Sequence, residues 1–419
     1  MRLLIALAAL YLSVVMLQLS TGGVAPLDVL SGFALGFSTS EIGLLGSSHF
    51  IGFFIGCWWA PRLIGRVGHS RTFSVFTVAG AMGLLAHTMT DDPLIWAVLR
   101  VASGMCVAGC YSVIEAWLNA NLTNENRGRA TGTYRVVDMG ASMCAQLVIG
   151  VLEPASYISY NILALVCCAA LLPLALTRLQ QPETTQSSRL RPALAYRRSP
   201  LAVAAVIVAG LTSAAFRMVG PIYGTEVGLG AEDIGLFLAA FVLGGALAQY
   251  PAGWLADKYD RRWVLVGFSF AAILASIAMP LLQEAGRSGV FLSACLFGIA
   301  TFPIYSVAAA HAHDFAEDHE RAELSASLLF YFAVGAIASP LLGAQIVSTF
   351  GPSALFVFLA SGHVVLIAFS LQRMLSPRVA RGRTNYIYTP RTTFQIGRLL
   401  SDRRTAHRPD DNAQDKPDT

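Results

Sequence analysis

Charge is scarce along this chain. Asp, Glu, Lys and Arg fill 13% of 419 positions and hydrophobic residues 55%, against roughly 25% charge in an ordinary soluble domain. A water-soluble fold of this length would run short of polar residues to cover its surface. Cysteine is missing from the polar stretches: all seven (Cys57, Cys106, Cys110, Cys144, Cys167, Cys168 and Cys295) fall inside apolar runs. That excludes a disulfide framework in loops and reads them as small packing residues, with no metal site. No Gly-x-x-x-x-Gly-Lys-Ser/Thr loop occurs, so the chain is not expected to hydrolyse nucleotide. No cofactor is expected, and no catalytic set of metal ligands or of nucleophile and base stands out. The nearest approach, His311-Ala312-His313-Asp314, reads as polar capping at a helix end, so the protein is not expected to be an enzyme.

What the sequence has in abundance is apolar runs long enough to cross ~30 Å of hydrocarbon at 1.5 Å per helical residue. Twelve are expected, over 3–30, 41–60, 72–90, 93–119, 130–151 and 157–176, then 201–223, 233–255, 263–282, 289–311, 324–347 and 354–371. The first follows Arg2 like a signal peptide, but no small-residue cleavage site closes it, and it is expected to remain as a span. The expected fold is an all-α polytopic membrane protein of two six-helix bundles, 1–178 and 200–373, joined by a polar linker at 179–199. The tail, 374–419, is too polar to bury a core and is expected to be largely disordered, with its arginines on anionic lipid.

Basic residues fix the expected orientation. With the N-terminus inside, 25 of the 29 Lys and Arg fall on the cytoplasmic side, one, Arg287, falls outside, and Arg100, Arg135 and Arg217 lie within spans. So uneven a division is what the positive-inside rule requires of a correct span count. The net charge of +4 thus reflects topology and not nucleic-acid binding. The expected place is a bacterial inner membrane, with both termini cytoplasmic.

The two halves repeat one another. Glu41-Ile42-Gly43-Leu44 opens the second run and Asp233-Ile234-Gly235-Leu236 the eighth, 192 residues later; Tyr111-Ser112-Val113 recurs as Tyr305-Ser306-Val307, 194 residues later. Two offsets that agree this closely point to a duplicated six-helix unit, with solute expected near the midplane between the copies.

Gly253-Trp254-Leu255-Ala256-Asp257-Lys258-Tyr259-Asp260-Arg261-Arg262 resembles the loop motif of the major facilitator superfamily, Gly-x-x-x-Asp-x-x-Gly-Arg-Arg/Lys, departing from it with Asp260 at the usual glycine. In the first half the equivalent loop keeps Arg66, Gly68 and Arg71 but has Gly65 at the acidic position, and Arg100-Val101-Ala102-Ser103-Gly104 is similar to a family element in the fourth helix. Glu115-Ala116-Trp117-Leu118-Asn119, Asn126-Arg127-Gly128-Arg129-Ala130 and the His311–Asp314 stretch resemble the YcaD-type bacterial subfamily, some relatives of which are associated with riboflavin uptake. The glycine- and proline-rich antiporter element of drug exporters is not evident in the fifth run. The resemblance implies a gating loop of Asp257, Arg261, Arg262, Arg66 and Arg71; the alternative is that these charges only set topology.

Charges inside the runs are the functional candidates, because an ionisable group in hydrocarbon is costly unless paired or wetted. Asp138 is expected near mid-membrane with Arg135 one turn away, either as a structural ion pair or as a proton acceptor with its modulating neighbour. Arg100 is placed in the outer half and Glu115 toward the cytoplasm, where it could join a network with Arg127 or Arg129. Arg217 lines the cavity or snorkels, His49 bridges helices or carries protons, and Gln146, Tyr111, Tyr305 and Ser306 line a polar cavity or pack. The reading is a monomeric secondary transporter of a small organic solute, coupled to protons. An efflux antiporter, a riboflavin-type uptake carrier or a transporter-fold sensor without flux are the alternatives. The orientation is tested by reporter fusions after Gln181 and after Met374: both are expected to report a cytoplasmic position, and a periplasmic signal from either refutes the span count.

Overall fold

The computed structural model describes residues 2–122, 127–177 and 190–375. Among them the chain forms fourteen α-helices and no strand. The first half comprises α1 (Arg2–Ala34), α2 (Thr39–Val67), α3 (His69–His87), α4 (Pro93–Ala120), α5 (Arg127–Val148), α6 (Tyr157–Ala169) and α7 (Leu171–Leu176). A short α8 (Pro192–Arg198) precedes the second half, which comprises α9 (Pro200–Glu226), α10 (Ala231–Lys258), α11 (Arg261–Gln283), α12 (Arg287–His313), α13 (Arg321–Phe350) and α14 (Ala354–Met374). Helix is the form an apolar run must take where no water can satisfy the backbone.

Among the described residues ten helices are long and apolar enough to cross a membrane, with α6 and α7 together making one of them. The other two expected spans, 72–90 and 130–151, are largely helical as α3 and α5, which end at His87 and Val148, but fall short of that apolarity. For α5 the reason is its load of Arg129, Arg135 and Asp138. The part of the expected linker that is described is not all loop: it ends in α8, tied to the second half by Arg191 on Glu323 at 2.9 Å and Arg198 on Glu317 at 3.1 Å. The expected tail lies outside the described residues beyond Leu375.

Local signals mark the helix starts. Ser38 and Glu41 form a reciprocal capping box on α2, satisfying two backbone donors that a helix start leaves orphaned. Asp260, the departure from the family glycine, caps α11 by accepting from the Arg262 backbone N–H at 3.0 Å, as an N-cap carboxylate does.

The helices pack in the same pattern in each half. In the first half α2 lies on α4, α3 on α4 and α6, and α1 on α5; in the second α10 lies on α12, α11 on α12 and α14, and α9 on α13. The α2–α4 crossing is made by Gly52 against Val101 and Gly104 against His49, and the α10–α12 crossing by Gly244 against Cys295 and Gly298 against Phe241. A Cβ at any of the four would strike the facing backbone carbonyl. These four pairs of counterparts are 192 or 194 residues apart, the offsets of the sequence repeat.

Between the halves α2 meets α13, α5 meets α10, and α1 meets α9. The repeated tetrapeptides sit at these seams. Gly43 lets α2 close on Ala344 and Pro340 of α13, and Gly235 lets α10 close on the Gln146 carbonyl of α5. Both seams lie at the end of the bundle where α2, α4, α10 and α12 begin. Gly43→Val and Gly235→Val should each destabilise the protein by about 1–3 kcal/mol, the usual cost of overpacking. Gly140, with no neighbouring atom within 4 Å of a built Cβ, should accept Val almost freely. Thermal unfolding of the three purified variants in detergent checks the contrast.

Candidate functional site

A cavity of about 210 Å³ lies between the two halves, and it holds most of the intramembrane charge. From the first half His49 on α2, Arg100 and Tyr111 on α4, and Arg135, Asp138 and Gln146 on α5 line it; from the second half Arg217 on α9 does. Phe50, Phe53, Phe302 and Phe332 supply apolar wall. The concave, mostly apolar form with a few converging polar groups suits a small-molecule site.

Asp138 is held by neutral donors. Gln18 Nε2 of α1 and the Tyr111 hydroxyl of α4 both donate to its Oδ1 at 2.8 Å. The pairing with Arg135 that the sequence allows is not formed; instead Arg135 lies 3.9 Å from Glu115 Oε1 and stacks 4.6 Å over the Tyr134 ring. Glu115 is buried, with Tyr134 donating to it at 3.3 Å. Of the two carboxylates Glu115 lies farther from the cavity, and a dry carboxylate needs a counter-charge more than one with two strong donors does. Gln146 donates to the Gly22 carbonyl at 3.2 Å, bridging α5 to α1. The ring of His49 lies edge-on to Phe50, and its buried Nδ1 makes no hydrogen bond within the protein. Arg217 faces the cavity above the Phe302 ring at 6.0 Å instead of reaching for the helix end.

Three candidates, Glu115, Tyr305 and Ser306, lie outside the cavity lining. Glu115 stands behind Arg135, and Tyr305 is buried in the second half, 5.4 Å edge-on to Phe332. Ser306 beside it is buried as well. Tyr305 and Phe332 stand in the second half where Tyr111 and Asp138 stand in the first, each pair 27 residues apart. The side chains of Asn119 and Arg127 lie outside those described.

A second cluster went unread in the sequence. Asp28 of α1 is 2% exposed; Tyr160 of α6 donates to its Oδ1 at 2.8 Å, Arg100 Nε lies 3.3 Å from its Oδ2, and His87 Nε2 lies 3.6 Å from the same oxygen. His87 also stacks on Tyr160 and meets Trp96 edge-on. Arg100 thus joins the cavity to a dry polar knot at the end where the halves close. An acid within the first apolar run was the available signal.

At the opposite end, the loop residues separate. Arg261 is buried, its guanidinium on the Ala310 carbonyl at 2.9 Å and on Asp314 Oδ1 at 2.6 Å, while half-exposed Asp257 sits 3.4 Å away. Asp314, from the His311–Asp314 stretch, therefore holds the loop to the end of α12. Arg66 and Arg71 are exposed, and Arg262 is half-buried.

Residues 4–230 and 201–405 each match the family model of the Major Facilitator Superfamily. The MFS-type transporter YcaD of Salmonella heidelberg (strain SL476) is 30% identical over 341 residues, covering 80% of this chain and 87% of that protein. Its counterpart in Salmonella typhi is 29% identical over 343 residues, with coverage of 80% and 87%. Among solved structures, the nucleoside transporter NupG has a TM-score of 0.70 at 14% identity, covering 88% of this chain and 99% of that one. A bacterial homolog of the human lysosomal transporter Spinster, inward-facing and unoccupied, has a TM-score of 0.68 at 16% identity, covering 95% and 96%.

Breaking the knot around Asp28 should be severe. Asp28→Asn leaves the Arg100 charge buried without its carboxylate, at a cost of about 3–5 kcal/mol. Arg100→Gln should cost a similar amount, and the double variant less than the two summed, because it leaves no lone charge. Thermal unfolding of the three variants measures this, and strictly additive losses would refute the coupling.

Proposed function

We propose, for a chain that belongs to the Major Facilitator Superfamily, a secondary transporter that moves a small organic solute by alternating access, coupled to protons through Asp138. The chain is a multi-pass membrane protein. The observation that carries the reading is the charged cavity placed between the halves, with side chains from both on its wall.

The cavity is shut at one end by the Gly43 and Gly235 crossings. The described glycine approaches between the halves, at Gly43, Gly46, Gly150 and Gly235, all lie at that end, and we take the opposite end as the open one. With both termini in the cytoplasm, as the basic residues require, the open end faces inward. Rocking of the halves about the cavity would close that end and part the glycine seams. Uptake is the favoured direction.

Asp138 suits a coupling role by geometry. Its two donors, Gln18 and Tyr111, take the same oxygen, which leaves Oδ2 for a proton. Glu115, the other carboxylate nearby, is engaged by Arg135 and Tyr134. The loop of Asp257, Arg261 and Arg262 acts as the gate at the open end, with Asp314 anchoring Arg261.

A thermal-shift and uptake screen of purified protein against flavins, sugars, amino acids and cationic drugs identifies the solute. In proteoliposomes Asp138→Asn should still exchange that solute in counterflow but lose accumulation driven by an imposed pH difference. Accumulation that survives the substitution moves the coupling away from Asp138, and binding without exchange by the unsubstituted protein makes it a sensor.

A further inference from the structure

We infer that the solute is an organic monoanion bearing a carboxylate, gripped by Arg217 and accompanied by one proton on Asp138; this rests on the transport reading above. Four ionisable side chains of fixed sign line the cavity, the cations Arg100, Arg135 and Arg217 and the acid Asp138. Two carboxylates stand directly behind them, Asp28 at 3.3 Å from Arg100 and Glu115 at 3.9 Å from Arg135. With Asp138 ionised these six groups balance. With Asp138 protonated the same six groups sum to one positive charge.

A wall that carries net positive charge draws an anion into the cavity in preference to a neutral or cationic solute. A monoanion balances that charge. A neutral solute leaves the excess in place and a cation doubles it. The groups facing Asp138 are consistent with this assignment. Gln18 on α1 and Tyr111 on α4 are neutral donors, His49 on α2 lines the same space, and Arg100 and Glu115 on α4 and Arg135 and Tyr134 on α5 are in the contacts described.

Arg217 has the right shape for the grip. A guanidinium presents parallel donors that match a carboxylate edge. It stands on α9 of the second half, whereas Asp138 and the unpartnered His49 Nδ1 belong to the first. An anion between them would tie the halves together through one ligand. Phe50, Phe53 and Phe302 on the wall favour an apolar or flat body behind the carboxylate.

The test uses purified full-length protein and a library of small carboxylates, such as benzoate, phenylacetate and hexanoate, each paired with its carboxamide and its amine. Carboxylates are expected to raise the melting temperature, with each matched amide binding about tenfold or more weakly. Arg217→Gln should erase that preference and Arg217→Lys keep part of it, with both variants eluting as monodisperse as the parent. In proteoliposomes the carboxylate that binds should enter at a rate set by the pH difference and indifferent to an imposed potassium-diffusion potential. Binding confined to amides or amines, a carboxylate preference that survives Arg217→Gln, no carboxylate binding at all, or uptake driven by potential at constant pH overturns the inference. A neutral solute that exchanges would sink the anion assignment and leave transport standing. A carboxylate that binds through Arg217 without exchanging would sink transport and leave the assignment standing.

Discussion

An ionised side chain inside a hydrocarbon-spanning bundle must be answered by another charge, by strong hydrogen bonds or by water, and that constraint decides much of this molecule's layout. Asp28 is answered by Arg100, His87 and Tyr160, drawn from α4, α3 and α6 onto α1. Glu115 is answered by Arg135 and Tyr134, Arg261 by Asp314 and a carbonyl. Each knot pins helices that apolar contact alone would leave free to slide, because lipid tails are as apolar as leucine and offer no hydrophobic drive for helix association. The cavity is the place where the same constraint is met with space.

Duplication supplied the scaffold, and the chemistry then settled in one half. The glycine crossings of α2 on α4 and of α10 on α12 are superposable in sequence, since backbone-to-backbone contact tolerates no Cβ in either copy. The charged groups of the cavity do not repeat: Arg100, Arg135 and Asp138 correspond to Ala294, Leu329 and Phe332 at the offset of 194 residues. Where the first half has Tyr111 donating to Asp138, the second has Tyr305 against Phe332. His49 corresponds to Phe241 and Glu115 to Ala309, at the offsets of 192 and 194 residues. The first half carries the titratable machinery; the second offers Arg217 and an aromatic wall. On the transport reading proposed above, the coupling acid and the gripping cation would stand on opposite sides of the seam between the halves.

How much of this was legible follows from what each signal encodes. Spans, repeat and loop motif are written in hydropathy and in local spacing, and the elements follow them closely. The cavity residues were legible because a charge in an apolar run has few innocent explanations: His49, Arg100, Tyr111, Arg135, Asp138, Gln146 and Arg217 share one space. Partners were not legible. Arg135 lies one turn from Asp138 in sequence, yet it turns to Glu115, which is 20 residues away in number and on another helix. Asp28 lies two residues inside the expected end of the first run, and its partners on α3, α4 and α6 are not written in local spacing; α1 continues to Ala34 through Pro26 and buries the acid. Asp314 read as a cap, and its engagement of Arg261 depends on the approach of α11 to α12.

The placement of the ion pairs also bears on motion. Asp28 with Arg100 and Glu115 with Arg135 lie within the first half; Asp257 and Asp314 with Arg261, Asp233 with Arg287, and the pairs of Arg191 and Arg198 lie within the second half and the helix that leads into it. The described contacts that cross the α2–α13 seam are neutral: Ser40 to Gln345 at 2.8 Å, the Leu341 N–H to Ser47 at 3.1 Å, Phe54 edge-on to Phe330, and the glycine approaches. Parting such a seam costs dispersion and a few neutral hydrogen bonds, each worth about 1 kcal/mol, whereas parting a buried ion pair would strand charge in a dry site. Under the alternating access proposed above, each half would rock as a body whose charges travel with their partners. The charges whose surroundings would then change are those on the cavity wall, so the loading of the cavity, and not the breaking of a bridge, would decide which way the halves lean.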